Sequence, residues 1–482
     1  MSLRNYSIRG LHLSLKPAPA WTAILGFVLV SALATLGGAG SLIRLAFPVG
    51  AFLVSVFLYR RYPILYLGFT WWLWFLTPWV RRLIDLRAGF VDPSPVLLAP
   101  FLATIVTLAT FLRHFPKLYR REGLPFVLCF LGVVYAVFIG FINSKYGFES
   151  DVVKAIYSGG FTVSSTTVVL RALDWLTPIL FSFHLLTHWQ EYPEYRQNMQ
   201  RTFRWGVLVM GTYGVVQYLV APEWDRLWLR SIFEGSLVFG RPEPMGFRLF
   251  STMNSAAPFA QAMMVGLLLL LADQGILRFF GAGFGYLAFL LTLVRTAWGG
   301  WFLGLLIFSS SLKPKLQMRL IMTVLVVGIL TFPLTTVEPF SEVINSRFNS
   351  ISTVEEDTSF QARSATYNNI MSIIPYRPLG QGLGVPALDS AFLDLLAAMG
   401  WLGGIPFIGG LVLILFKLSQ CLKLRFDPFL SATTAISISS FGMSLLNNLF
   451  AGIQGMLFWS FIGISLAGHK YYQYKLLTRF EK

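Results

Sequence analysis

The chain has 482 residues, of which 55% are hydrophobic and only 12% charged, with a formal net charge of +16. Soluble domains carry about twice that charged fraction, so the composition excludes a soluble globular protein and points to an all-α polytopic membrane protein. In such a chain an excess of Lys and Arg belongs first to cytoplasmic loops, and no nucleic-acid partner is expected.

Apolar runs long enough to cross a bilayer recur along the whole sequence. They predict transmembrane helices near 21–38, 42–59, 63–80, 95–112, 124–143, 165–189, 203–221, 254–273, 278–294, 296–311, 318–336, 391–416, 429–448 and 452–468. That is about fourteen, with twelve as the lower bound. The sixth is interrupted by Arg171 and Asp174, and the ninth and tenth meet at Arg295. The start of the chain is basic and a full-length span follows it, which argues against a cleaved signal peptide. Cys129 falls in an apolar run and Cys421 near a basic loop, so neither a disulfide nor a metal site is expected from them.

Basic residues settle the orientation. Arg4, Arg9 and Lys16, Arg60 and Arg61, Arg113 to Arg121, Arg196 to Arg204, Lys313 to Arg319, Lys417 to Arg425 and Lys470 to Arg479 all fall on one side of the predicted bundle. That side is read as cytoplasmic, with both termini inside. Loop 81–94 breaks the trend, because Arg81, Arg82 and Arg87 lie on the other face; loop 222–253 adds Arg226, Arg230, Arg241 and Arg248 there. The organisation read from this is N-terminal helices over 1–240, a core over 241–470 and a basic cytoplasmic tail over 471–482. No repeat divides the chain.

The longest polar break is the outer loop 338–390. It holds Glu355, Glu356 and Asp357, Arg363 in a stretch with helical spacing, the turn-rich run from Pro378 to Gly384, and Asp389 at the mouth of the next apolar run. Long loops between packed elements tend to carry function. Arg248, Arg295 and Arg363 are the outer-face arginines whose guanidinium forks suit phosphate oxygens. Pairing with local acids or lipid headgroups is the competing role. Asp389 reads either as a helix N-cap or as a general base. Asp394, within the apolar run, is a second candidate base or a buried carboxylate paired with an arginine. Gly382 and Gly384 permit close backbone approach to a ligand. His184 and His188 are spaced i, i+4 but have no third ligand in sequence, and no metal site is expected.

Four stretches, in order, resemble the O-antigen ligases and the O-antigen and exopolysaccharide polymerases. They are RLFSTMNSAAPFAQAM from Arg248, LVRTAWGGWFLGLLIF from Leu293, the segment from Arg347 through RSATYNNIMSIIPYRPLGQGLG to Gly384, and ALDSAFLDLLAAMGWLGG from Ala387. The resemblance covers about 240–470. It implies a GT-C-like helical bundle with a periplasmic cavity in the bacterial inner membrane. It also implies inverting transfer of a glycan from an undecaprenyl-diphosphate donor to a glycan or lipid acceptor hydroxyl, without metal or other cofactor. By that resemblance Arg295 and Arg363 hold the diphosphate. Arg248, Arg347, Arg377, Gly382, Gly384 and Asp394 contact substrate, and Asp389 activates the acceptor. Asp389 stands where ligases usually carry His, which tilts the reading toward a polymerase. A flippase and a chain-length regulator are the partner proteins implied. The runner-up reading is a lipid-linked oligosaccharide flippase or other secondary transporter, and a non-catalytic assembly subunit comes third.

Overall fold

The computed structural model describes residues 17–115, 122–146, 163–233, 239–312, 358–421 and 427–480, with isolated positions between 314 and 329. Most of the expected span at 318–336 and the stretch with Arg347, Glu355, Glu356 and Asp357 lie outside the described residues.

The described chain is helical and contains no strand. In order the helices are α1 (Ala18–Leu36), α2 (Gly40–Arg61), α3 (Pro63–Ala88), α4 (Leu98–Ile105), α5 (Leu108–His114), α6 (Leu124–Tyr146), α7 (Ser165–Thr187) and α8 (Tyr192–Val220). They continue as α9 (Glu223–Phe233), α10 (Ala256–Ala272), α11 (Leu277–Leu291), α12 (Arg295–Ser311), α13 (Thr358–Ile373), α14 (Ala391–Cys421), α15 (Pro428–Met443) and α16 (Gly452–Phe480). Local chemistry sets several starts. Ser164 and Thr167 form a capping box at α7. Asp427 accepts from the Leu430 amide at 2.9 Å, ahead of Pro428 at the first position of α15.

Among the described residues, six helical segments are long and apolar enough to cross a membrane: α1, α2, Pro95–His114, α6, α7 and α14. Trp189–Val220 with Glu223–Ile232, bent by 79°, makes a seventh if the pair is one span. By this measure the expected fourteen is not reached, although every expected segment outside 318–336 coincides with a helix. Length is one reason: α10 and α11 have 17 and 15 residues, short of the roughly 20 that cross a bilayer core.

The arginines that broke the orientation trend do not lie in a loop. Helix α3 runs on to Ala88, and Arg81 and Arg82 are buried in its last turns. Arg81 pairs with Asp85 at 3.2 Å and Asp92 at 2.9 Å, and its guanidinium lies 4.6 Å over the Trp228 ring. Arg82 pairs with the buried Asp225 at 2.8 Å. Arg226 donates to the Ala221 carbonyl at 2.6 Å, closing the C-terminus of α8. The charges of Arg81 and Arg82 are therefore neutralised within the protein.

Two large apolar cores fill most of the bundle, and helices from both sides of residue 240 share each of them. One gathers α1–α4, α8, α10–α12 and α15; the other gathers α5, α6 and α14. Helix α7 faces both, with Phe181 and Leu185 in the first core and Trp175, Ile179 and Phe183 in the second. Helix α16 also belongs to both. Its Met456, Leu457, Phe461 and Ile464 enter the first core, and its Phe458, Trp459, Ile462 and Leu466 the second. A helix that is apolar all round is stable only when surrounded, and α16 is. The expected tail from 471 continues this helix to Phe480.

Helices α6 and α14 cross in near contact because the crossing residues are small. A Cβ on Gly132 would lie 2.6 Å from the Gly403 carbonyl oxygen, and one on Gly410 would lie 2.4 Å from that of Pro125. Helix α14 breaks at Gly400, where φ is 57° and ψ −159°. The Pro378–Gly384 run is inserted there. Gln381 and Gly382 amides donate to the Ala397 and Ala398 carbonyls at 2.8 and 2.9 Å, and the Trp401 amide donates to the Pro378 carbonyl at 2.9 Å. On the other side the Leu383 amide reaches the Ala136 carbonyl of α6 at 2.9 Å. The close approach expected of Gly382 and Gly384 is thus made to protein. A Cβ on Gly382 would meet Gly140 backbone nitrogen at 2.2 Å, and one on Gly384 would meet Val163 at 2.6 Å.

Gly382→Ala should therefore be costly, since its φ is also +76°. A side chain in the left-handed region alone costs about 1–2 kcal/mol, and the Gly140 backbone must also move. Thermal melting in detergent should show a clear drop for Gly382→Ala. Gly299→Ala, whose Cβ would meet nothing within 4 Å on α12, should melt as wild type or slightly higher.

Candidate functional site

The candidate site forms at one end of the bundle, around the segment Ser444–Ala451 that joins α15 to α16. This segment is a hub. The Ala391 amide at the start of α14 donates to the Ser444 and Asn447 carbonyls at 3.0 and 3.1 Å. Thr296, next to Arg295 at the start of α12, donates to Asn447 Oδ1 at 3.3 Å. Tyr367 on α13 donates to the Leu445 carbonyl. Asn448 Nδ2 donates to Asp394 Oδ2 at 2.8 Å. Helices α12, α13 and α14 thus meet on the short connection between α15 and α16, which backbone carbonyls and two adjacent asparagines make possible.

Asp394 is the most constrained residue here. It is 3% exposed. Oδ2 accepts from Arg171 at 2.7 Å as well as from Asn448, and Oδ1 accepts from the Leu388 amide at 3.4 Å. Arg171 also lies 3.7 Å from Asp174. A carboxylate with its lone pairs so committed to neighbouring donors is poorly placed to take a substrate proton. Of the two roles read from sequence, the buried partner of an arginine is the one observed. The surprise is the identity of that arginine. Arg171 and Asp174 on α7 looked like flaws in an apolar run. Charges within a span are costly unless paired or facing a polar cavity, and that was the available signal. Asn447 and Asn448 carried no signal beyond being polar between two apolar runs.

Asp389 is exposed, in the bend before α14. The helix-capping contact falls to Ser390, whose Oγ accepts from the Leu393 amide at 3.5 Å. Asp389 is two residues from Ala391, whose amide is bonded to the hub. Arg295 is the first residue of α12 and is half-buried beside the Thr296–Asn447 contact. Position 363 is on α13, one turn before Tyr367, which reaches the hub. Arg377 is exposed, just after the short turn Ile374–Tyr376. Gly382 and Gly384 are packed in the wedge between α6 and α14, and Arg347 lies outside the described residues.

Arg248 lies behind the start of α12. Its guanidinium donates to the Thr292 and Leu293 carbonyls at 3.2 and 3.4 Å, immediately before Arg295. The backbone around it is strained. Met245, Ser251 and Leu293 are non-glycine residues with φ of 60°, 50° and 57°. Such conformations persist only where surroundings over-determine them, and they concentrate at functional sites. Ser251 illustrates the restraint. Its amide donates to Gln217 Oε1 at 2.7 Å and its hydroxyl to the Met210 carbonyl at 2.6 Å; its carbonyl accepts from Arg82 at 2.5 Å. The buried pair Arg82–Asp225, with Tyr213 donating to Asp225 at 2.6 Å, thereby anchors the segment carrying Arg248.

The sequence-predicted residues Arg248, Arg295, Asp389 and Asp394 are therefore joined through a continuous set of contacts at one end of the bundle, together with the helix bearing Arg363. Cationic side chains and an exposed carboxylate at this end can bind an anion and accept a proton. Among the described residues no three His, Cys, Asp or Glu side chains are grouped to hold a metal ion. His184 Nδ1 is instead bonded to Thr110 Oγ1 at 2.8 Å, and His188 Nδ1 to the His184 carbonyl oxygen at 3.0 Å.

Compared with protein-family models and with curated proteins, the chain matches none.

The two carboxylates should behave oppositely on replacement. Removing one partner of a buried ion pair costs about 3–5 kcal/mol. Arg171→Ala and Asp394→Ala should each lower stability in a detergent unfolding assay by that order. A triple replacement, Arg171→Met with Asp394→Leu and Asp174→Asn, should recover much of the loss, because Arg171 is also the partner of Asp174 and all three charges then go together. Asp389→Ala, at an exposed position, should change stability by less than about 0.5 kcal/mol.

Proposed function

We propose that the chain is a membrane glycosyltransferase of the polysaccharide polymerase or O-antigen ligase type. It transfers a glycan from an undecaprenyl-diphosphate donor to an acceptor sugar hydroxyl at the periplasmic face, inverting the anomeric centre without a metal. The observation that carries this reading is the convergence just described: the second, third and fourth of the stretches that resemble the family meet on the Ser444–Ala451 hub through Thr296, Tyr367 and Ala391. The wider architecture we infer is a GT-C-like bundle of about fourteen spans. The shorter helices α10, α11, α12 and α15 cross with the longer ones, and both termini face the cytoplasm of a bacterial inner membrane.

In this mechanism Arg295 and Arg363 hold the two phosphates of the donor and stabilise the charge that develops as the diphosphate leaves. Arg248 supports Arg295 from beneath through the α11–α12 junction. Asp389, facing water, takes the proton of the acceptor hydroxyl as it attacks the anomeric carbon. The released undecaprenyl diphosphate stays in the membrane. Asp394 and Arg171 do not react; they hold the start of α14 so that Asp389 stands over the arginines. A flippase delivering the donor and a separate chain-length regulator are the partners this chemistry calls for.

The test is reconstitution of the purified chain with an undecaprenyl-diphosphate oligosaccharide and an acceptor, reading glycan length and released carrier diphosphate. Arg363→Ala, Arg295→Ala and Asp389→Ala should each lose at least about a hundredfold in turnover, the scale of a removed charge-stabilising or acid–base group, while still inserting and folding. Full activity in all three variants would remove these residues from the mechanism. Movement of the lipid between leaflets without elongation would establish the transporter reading instead. A cysteine placed at Ser359 should be modified by an impermeant reagent added outside spheroplasts; labelling only after lysis would invert the orientation.

A further inference from the structure

A second feature lies away from the hub and shares no residue with it. A cavity of about 750 Å³ opens between α1, α3 and α8. Helix α3 forms its floor with one face running from Leu65 to Arg87, which at 1.5 Å per residue is about 33 Å and matches the thickness of a bilayer core. Helix α1 forms one wall with Trp21, Ile24, Val28, Ser31 and Thr35. These positions alternate by three and four, so they make one continuous stripe. Only Ala20 and Ser31 of α1 are buried. The helix thus turns an ordered apolar stripe toward a space that protein does not fill.

An empty apolar groove open sideways in a bilayer is filled by lipid chains, since voids forfeit packing contacts. This groove carries more than a generic apolar surface. Arg201 lies at the end where α1 begins, with Asn198 one turn earlier on the same helix and Trp205 one turn later. Arg201 is exposed and makes no hydrogen bond or ion pair with any described residue. Deeper in the wall, Thr77 Oγ1 and Trp79 Nε1 are buried polar atoms without a partner among the described residues. A cation at the mouth, apolar walls of bilayer length and polar atoms within match a phosphate, two acyl chains and ester oxygens. At the other end Arg87 stands among Leu36, Leu83 and Leu86, with no amide beside it.

We propose that the groove between α1, α3 and α8 is a resident site for one anionic phospholipid, its phosphate on Arg201 and Asn198 and its chains along α3 beneath α1. The lipid then supplies the packing that α1 lacks from protein.

The experiment takes the purified full chain from vesicles of phosphatidylcholine containing phosphatidylglycerol as a minor component, and follows retained lipid by native mass spectrometry as detergent washes proceed. A single phosphatidylglycerol should outlast all other lipid. Arg201→Gln should weaken its retention about tenfold, the scale of one charge-assisted contact, whereas Arg87→Gln should leave it unchanged. Ala32→Trp, which fills the groove from the wall, should abolish retention while the protein still melts cooperatively. Equal retention of phosphatidylcholine, retention indifferent to Arg201→Gln, or displacement of phosphatidylglycerol by an added polyprenyl phosphate would each overturn the proposal.

Discussion

In a hydrocarbon environment every backbone N–H and C=O must find a partner within the protein. The fold turns on how that demand is met at Gly400. Breaking α14 there leaves amides and carbonyls of two half-helices unsatisfied, and the Pro378–Gly384 run answers them from outside the helix. The same run is bonded to α6 through Leu383 and through Asn143, which donates to the Gln381 carbonyl at 2.7 Å. One short irregular segment thus joins three pieces of backbone. It also fixes where the first half of α14 ends, and so how Asp389 and Asp394 are presented. A ligand-gripping glycine loop and a backbone-stitching glycine loop have the same sequence signature. The difference lies in what the absent Cβ makes room for, and here it is protein.

The site end is built by a second set of restraints that do not depend on the first. Buried charge at the end of α3 holds the Ser251 turn, the turn sets Arg248, and Arg248 closes the carbonyls before Arg295. The Ser444–Ala451 hub then ties Arg295's helix to that of Asp389. The bonded chain from Asp225 to Asp394 passes through polar contacts in an otherwise apolar bundle. Rotation of one helix against another would break several of them together. That is the rigidity expected where groups from distant parts of a chain must act on one bond.

Much of this was legible in the sequence. Apolar runs gave helices at nearly every expected position, and Arg295 fell at a helix start where two runs met. Arg363 lay on a helix, as its spacing suggested. What could not be read was pairing across the bundle. Arg81 and Arg82 looked exposed because a run of charges resembles a loop, whereas their partners Asp85, Asp92 and Asp225 sit up to 143 positions away. Arg171 looked like an interruption because its partner Asp394 is 223 residues distant. Composition registers that a charge exists; only the fold says whether it is neutralised. The span count suffered from a different limit: apolar composition marks α10, α11, α12 and α15 as helices, but at 15 to 17 residues each falls short of bilayer length.

The position of α16 in the polypeptide has a consequence for assembly. With α7 it forms the wall shared by both apolar cores, yet it follows every described helix it touches. As the chain is threaded into the membrane, each core must therefore wait with one face open to lipid, and neither can close before the other. Maturation is then a single late closure, and chains arrested ahead of Gly452 present two raw apolar seams to the quality-control proteases of the bilayer.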